Sequence, residues 1–351
     1  MSEKSSPYHL FPGVPLALTS AALFGVIPPL AKTLLDTIPP LMLAGLLYLG
    51  AGTGLLIYHL ARRDESYEAR LSKADLPWLV LAILTGGVIG PVLLMIGLSV
   101  TKASSSSLLL NLESLATMVI AWLVYRENVD RRLLFGALAI VAGAALLSWN
   151  GETLSLDGGA LLVAGACLAW GLDNNFTRRI SGADPVRIAM FKGMTAGAVN
   201  IALALATGSS LPPFYMAASA GVIGFFGIGV SLVMFILALR HLGTARTGAY
   251  YSLAPFIGAI TAVIVLGEPL TQVLLLAAIL MATGLWLHLS EHHEHEHVHE
   301  MIEHEHSHVH DEHHRHAHEG EVSEPHSHWH RHAPVTHKHR HYPDLHHRHG
   351  H

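Results

Sequence analysis

Of the chain's 28 histidines, 24 fall within its last 61 residues, Glu291 to His351. Neutral imidazole is the commonest metal-ligating side chain. A run such as His292-His293-Glu294-His295-Glu296-His297-Val298-His299 is almost all ligand, with nothing to bury. In an extended segment, His-x-His puts both rings on one side. Compacted, the same chain offers pairs four apart, such as His304/His308, His310/His314 and His328/His332. Zinc takes four tetrahedral ligands with Zn–N near about 2.0–2.1 Å. Imidazole sets for it abound in this segment, which continues through His306, His313, His316, His318, His326 and His330. Nickel, cobalt and copper fit the same donors, copper most tightly. The expectation is a tail that binds Zn, Ni, Co or Cu, on a protein that requires no cofactor.

A second set of reactive side chains lies in apolar surroundings. Glu113 sits mid-way along residues 103–125, with Asn111 two residues before it. Asp173-Asn174-Asn175 interrupts residues 158–177, and Lys192 interrupts 185–206. An ionisable group inside a membrane costs at least about 2.5–3.5 kcal/mol, so those that persist are functional or paired. Glu113 suits proton coupling or binding of a substrate cation; the alternative is a neutral acid bonded to neighbouring backbone. Asp173 and Lys192 lie at similar depth on adjacent segments, which lets them face one another. They form either a structural ion pair or a pair that opens to hold a solute's carboxylate or amine. Trp170, Tyr250 and Tyr251 are candidates to line a cavity beside them. The serine run Ser104–Ser107 and Gly221, Gly224, Gly227 and Gly229 read as close-packing surfaces, because small residues let membrane helices approach.

The elements that must hold these residues are set by composition. With 51% apolar and 13% charged residues, the chain is far poorer in charge than soluble proteins, where about 25% is usual. Crossing a hydrocarbon layer of roughly 30 Å takes about 17–25 helical residues. Such stretches occur at 14–34, 40–60, 76–98, 103–125, 133–149, 158–177, 185–206, 214–239, 244–266 and 271–289. Pro28-Pro29 predicts a break in the first and Gly90-Pro91 in the third. Thirteen Lys and Arg flank one side, among them Arg62, Arg63, Arg126, Arg178, Arg187 and Arg240; the other side has Lys102 and Lys32. By the positive-inside rule both termini are cytoplasmic. The tail differs in charge as well as content, carrying 5 basic and 12 acidic residues. Cys167 is the single cysteine, so no disulfide framework exists. Nothing suggests nucleic acid, and no nucleophile–base set or phosphate loop suggests an enzyme.

The chain repeats itself. Leu23-Phe24-Gly25 and Lys32 match Ala169-Trp170-Gly171 and Arg178 at an offset of 146, and Pro39 falls on Pro185. Ser114 and Tyr125-Arg126-Glu127 match Pro255 and Leu266-Gly267-Glu268 at an offset of 141. Each half has five spans, an odd number, so the second enters the membrane inverted. Inverted repeats are a recurrent transporter architecture, with the substrate site near the midplane between halves. The expected fold is an all-α integral membrane protein of ten transmembrane helices in two inverted five-helix repeats. Residues 1–13 form a cytoplasmic N-terminus, 14–149 the first repeat, 158–289 the second, and 291–351 a disordered histidine-rich cytoplasmic tail.

These halves, with Leu-Gly-Glu-Pro-Leu at 266–270 and Tyr-Arg-Glu-Asn-Val at 125–129, resemble the drug/metabolite transporter superfamily, specifically its EamA-type repeats. The resemblance covers about residues 14–289 and implies a proton- or exchange-driven carrier of small organic solutes, often an exporter. The first half has Glu113-Ser114 where the second has the family-like Ala254-Pro255. The basic residue typical of each half's second helix appears as Lys192, against Leu46 in the first half. Glu127 and Glu268 fall at helix ends and read as loop anchors.

The expected function is a secondary-active exporter of a small polar or amphipathic metabolite in the bacterial inner membrane, its tail a metal-binding regulator or buffer. Expected partners are the bilayer, the solute, transition-metal ions and a second copy of the chain. Two alternatives stand beside it: an exporter of Zn, Ni, Co or Cu whose tail collects ions, and a membrane-anchored metal store or sensor.

Overall fold

The computed structural model describes residues 13–61, 71–125, 131–148, 158–180, 183–289, 294–298, 302–308, 326–332 and 336–340. Expectations for residues 1–12, the loop 62–70, Arg126 and Glu127 lie outside these. So do those for His292, His293, His299, His310, His313, His314, His316 and His318.

From Gly13 to Leu289 every regular element among the described residues is helical. Six continuous or joined helices, from Gly13–Leu35 to Phe214–Ala238, are long and apolar enough to cross a membrane. Shorter apolar helices occupy Leu134–Leu147, Ala254–Leu266 and Gln272–Leu287. The helical rods follow in chain order. The first is Gly13–Gly25 with Ile27–Leu35; the second is Pro40–Ala61. The third is Leu76–Ala82, a π-helix Ile83–Ile89, and Gly90–Val100. The fourth is Ala103–Leu109 with Leu112–Tyr125, the fifth Arg131–Leu147, the sixth Gly158–Ile180 and the seventh Pro185–Ala206. The eighth is Phe214–Gly224, a π-helix Phe225–Val230, and the start of Ser231–Tyr251.

Ser231–Tyr251 cannot be one straight helix. Its Phe235 and Tyr251 rings lie 4.7 Å apart, whereas sixteen residues of straight helix would separate them by about 24 Å. The chain doubles back inside this range, so the eighth rod ends and a ninth begins there. The ninth continues as Ala254–Leu266, and Gln272–Leu289 is the tenth.

Breaks occur where the backbone finds other partners. At Val26, Pro28 and Pro29 open the second piece of the first rod as its N-terminal residues, where missing N–H groups cost little. The fourth and ninth rods, expected to be continuous, are also broken, at Leu110-Asn111 and Ser252-Leu253. Neither place carries a glycine, and only Pro255 of the ninth rod lies nearby. In the fourth rod Asn111 donates to Leu108 O at 2.8 Å and Ser114 donates to Asn111 O at 2.8 Å. In the ninth Ser252 donates to Gly248 O at 2.6 Å. Leu108 O and Gly248 O each accept such a side-chain donor in addition to the backbone N–H of Asn111 and of Ser252.

Small residues set the contacts between halves. A Cβ added at Gly52 would meet the backbone of Gly193 and Met194, and one at Gly197 the backbone of Leu49, which locks the second rod to the seventh. Gly284 approaches Gly136 and Ile140, and Gly143 approaches Met281, joining the fifth rod to the tenth. These pairs are each other's equivalents across the repeat. Gly224 meets Leu47, Gly227 meets Ile27 and Gly229 meets Ala51, the close-packing role expected of that glycine series.

Within the histidine-rich segment the described residues form two strand pairs. Glu294–Val298 pairs antiparallel with Thr336–Arg340, and Ile302–His308 with His326–His332. Alternation of histidine with charged, small or aromatic residues has the period of two that a strand requires. Composition alone hides this, because the match appears only when the segment folds back on itself.

Candidate functional site

The centre of the site is the π-segment of the third rod. A π-turn carries an extra residue per turn and so releases carbonyls from the helical ladder. Gly86 O accepts from Tyr48 Oη at 2.6 Å and from Trp170 Nε1 at 3.0 Å, both buried. Gly87 O accepts from Asn200 Nδ2 at 3.1 Å. The Asn200 side chain is fully buried, and its Oδ1 has no hydrogen-bond partner. Four rods, the second, third, sixth and seventh, therefore meet at two adjacent peptide units.

Against the same turn lies an ion pair. Lys192 Nζ donates to Asp173 Oδ2, and Thr177 Oγ1 donates to Asp173 Oδ1 at 3.0 Å. Asp173 is 5% and Lys192 6% exposed. The absent side chain of Gly86 makes room for the Asp173 carboxylate, which an added Cβ would overlap. Buried pairs of this kind are seldom worth more than a well-packed apolar pair. Stability alone is thus a weak reason for these two charges to be here.

Glu113 completes the arrangement from the fourth rod. The break at Leu110-Asn111 places it in the first turn of Leu112–Tyr125, a helix N-terminus inside the apolar region. Its Oε1 accepts from Asn174 Nδ2 at 2.9 Å, and Asn174 also donates to Thr117 Oγ1 at 3.2 Å. Asn175 donates to Gly171 O at 2.8 Å and to Thr117 O at 3.3 Å. Asp173, Asn174 and Asn175 thus face two ways along one helix, toward Lys192 and toward Glu113.

Other candidates fall outside this group. Asn111 bonds Leu108 O and approaches Met281 Sδ at 3.8 Å, so it closes the helix break. Tyr251 packs on Phe24 at 5.6 Å and on Phe235, and Tyr250 packs beside the Ala17, Ala238 and Leu242 cluster. Glu268 takes Ala103 N–H at 2.7 Å and Ser104 N–H at 2.9 Å, plus the Ser104 hydroxyl, and so anchors the start of the fourth rod. Lys32 donates to Leu98 O, Ser99 O and Thr101 O, closing the end of the third. Among the described residues no three His, Cys, Asp or Glu side chains gather as a metal site.

Beside Tyr48 and Trp170 lies a small cavity of about 20 Å³, lined also by Phe24, Pro28, Leu47 and Pro91. That is room for about one water, against roughly 300–1,000 Å³ for a ligand pocket. Sequence reasoning missed Tyr48, Asn200 and the two glycines of the π-turn. An asparagine in the middle of the apolar run 185–206 was a usable signal. Tyr48 carried none, because a lone aromatic in a span reads as packing.

Comparison with known proteins agrees with this architecture. The EamA-like transporter family model matches twice, over residues 11–149 and 157–290. An "Uncharacterized transporter" of Methanothermobacter thermautotrophicus is 29% identical over 288 residues, covering 77% of this chain and 84% of its own. A "Probable amino-acid metabolite efflux pump" of Salmonella typhimurium is 27% identical over 301 residues, covering 78% and 93%. A solved crystal structure aligns with a TM-score of 0.60 at 18% identity, covering 78% of this chain and 94% of that one, which supports the fold. Two matched repeats, apolar helical rods and a polar centre between them lead to one assignment: the chain is an integral membrane protein that belongs to the EamA-like transporter family.

Proposed function

We propose that the protein is a secondary-active exporter of a small polar or amphipathic metabolite that carries a charged group. The observation that carries this reading is the buried Asp173–Lys192 pair, set against a π-turn and joined through Asn174 to Glu113. A solute carboxylate would take Lys192, a solute amine Asp173, and the pair re-forms once the solute leaves. Glu113 supplies the carboxyl that a coupling proton would use. The likeness to a protein named as an amino-acid metabolite efflux pump makes amino-acid-like solutes the first to try.

A cavity that holds about one water cannot hold such a solute. Passage then requires the halves to part along the glycine-lined contacts, as alternating access does around a fixed midplane site. The positive-inside pattern supports cytoplasmic termini, and the tail would act there as a metal-binding regulator or buffer. Within the membrane region the described ligand sets favour an organic solute over a metal ion as cargo.

Flux of a metabolite panel into proteoliposomes tests the site. Glu113→Gln should abolish the dependence of flux on a proton gradient, and Lys192→Ala should abolish flux of carboxylate-bearing solutes. Unchanged transport of the true substrate by both variants would overturn the assignment.

A further inference from the structure

The small cavity beside Tyr48 and Trp170 sits where the two repeats meet. Phe24 and Trp170 are each other's equivalents at the repeat offset of 146, and both line it. It therefore lies at the pseudo-two-fold axis, where inverted-repeat carriers hold their solutes. Its walls come from the first, second, third, sixth and eighth rods. Three of its lining residues mark irregular backbone. Pro28 follows the break in the first rod, Pro91 follows the π-segment of the third, and Ile228 lies in the π-segment of the eighth. Rods bend at prolines and π-turns, so the cavity is placed to widen when the halves part.

Its chemistry is one-sided. None of the ten lining residues is charged. Tyr48 and Trp170 alone among them carry a side-chain oxygen or nitrogen, and both groups are turned to Gly86 O. The same π-turn borders the ion pair. An added Cβ at Gly86 would overlap the Asp173 carboxylate, and one at Gly87 would lie 3.7 Å from both Lys192 Cγ and Tyr48 Cε1. Tyr48 thus adjoins both the cavity and the buried charges. An apolar cavity of this kind stays dry, so apolar atoms that enter it displace no bound water.

We propose that this cavity is the closed form of a pocket for the solute's side chain, and that the cargo is an α-amino acid with an apolar side chain. Given the carrier reading of Asp173 and Lys192, on which this assignment rests, the two charges limit the head group. A solute with one charge would pair with Lys192 or with Asp173 and leave the other buried alone, which is strongly unfavourable. An α-amino acid offers its carboxylate to Lys192 and its ammonium to Asp173, so neither is left bare. Its side chain is left for the cavity beyond Tyr48. The lining there gives a polar side chain no hydrogen-bond partner in exchange for water, and so selects against one.

Flux and competition assays with the full-length protein in proteoliposomes test the pocket with solutes paired by size, leucine against asparagine and methionine against glutamine. The wild type should prefer the apolar member of each pair by at least roughly tenfold in kcat/KM, since one methylene in an apolar pocket is worth about 10–200-fold. Isocaproate and isoamylamine, which keep the leucine side chain but only one charge each, should compete poorly. Leu94→Ala enlarges the lining and should move the preference from leucine toward phenylalanine, while Ile228→Phe fills it and should move the preference toward alanine. Leu98→Ala, at a buried position of the same rod outside the lining, should leave the order as it is. Equal handling of both members of each pair, or the same shift in Leu98→Ala as in Leu94→Ala, would overturn the pocket and leave the Asp173–Lys192 site standing. Transport of either single-charge analogue as well as leucine, or of no amino acid at all, would overturn the amino-acid class. Unchanged leucine transport by Lys192→Ala would instead overturn the carrier reading of the pair itself.

Discussion

The third and eighth rods each carry a π-helical segment, Ile83–Ile89 and Phe225–Val230, at equivalent places in the two repeats. What lies against them differs. Gly86 receives the carboxylate of Asp173, while its counterpart Gly227 receives the side chain of Ile27, the residue that the repeat aligns with Asp173. Trp170 donates to Gly86 O, whereas its counterpart Phe24 has nothing to donate. Lys192 corresponds to Leu46, Glu113 to Ala254, and Asn174-Asn175 to Pro28-Pro29. The fourth and ninth rods break within one residue of matching positions, yet only the fourth places a carboxylate after the break. The shared backbone is therefore the scaffold, and the chemistry has been confined to one side of the pseudo-two-fold axis. Where the halves match, the residues answer to packing. Where they differ, they point to the site.

Making the second half resemble the first is the strongest way to test that division. Lys192→Leu copies Leu46 and leaves Asp173 buried without a partner. Removing one member of a buried pair costs about 3–5 kcal/mol, so thermal stability should fall sharply and flux should vanish. Asp173→Ile/Lys192→Leu copies both counterparts, Ile27 and Leu46. Stability should return to near the wild-type value, because apolar replacement of a buried pair is often neutral or favourable. Flux should stay absent. A double variant that transports normally would show that the pair is structural.

The π-turn glycines sharpen the same comparison. Gly86→Ala drives a methyl group into the Asp173 carboxylate. Overpacking of this kind costs about 1–3 kcal/mol, and here it also shifts the charge proposed to meet the solute. Gly227→Ala meets Ile27 Cγ1 at 2.5 Å. Both variants should melt earlier, and flux per folded molecule should drop only for Gly86→Ala. Equal transport defects would mean that the π-segments act as matched hinges with no chemical asymmetry.

Glu268 probes a contact of the scaffold kind. Its carboxylate accepts the first N–H groups of the fourth rod, a capping role that is worth about 0.5–2 kcal/mol. Glu268→Gln should lower the melting temperature modestly and leave substrate affinity unchanged. A shift in affinity without one in stability would move Glu268 into the site.

Positions of the apolar rods were legible because hydropathy and membrane thickness leave few alternatives, and the break at Pro28-Pro29 was legible because proline lacks an N–H. The breaks at Leu110-Asn111 and Ser252-Leu253 were not. Asn111, Ser114 and Ser252 bond backbone carbonyls of the preceding turn, but nothing in their types demands a break there. Glycines in π-turns look the same in sequence as glycines at helix contacts, which hid Gly86 and Gly87. Asp173 and Lys192 were found by their cost in a membrane, whereas Tyr48 enters the site only through a carbonyl that the π-turn releases.

The smallest expected effect comes from Trp170→Phe, which copies Phe24. The substitution keeps a ring in the space beside the small cavity and in edge contact with Phe24, whose centroid lies 6.2 Å from that of Trp170. It removes one of two donors to Gly86 O and leaves the Tyr48 hydroxyl in place. One neutral hydrogen bond contributes about 0.5–1.5 kcal/mol, and the remaining donor holds the loss toward the lower end. Tyr48→Phe has the same logic with the donors exchanged. Either single variant should transport at a reduced rate, while Tyr48→Phe/Trp170→Phe leaves a buried carbonyl bare and should lose more than the sum of the two. Strict additivity in flux and melting temperature would show that the π-turn carbonyl does not join the two side chains into one unit.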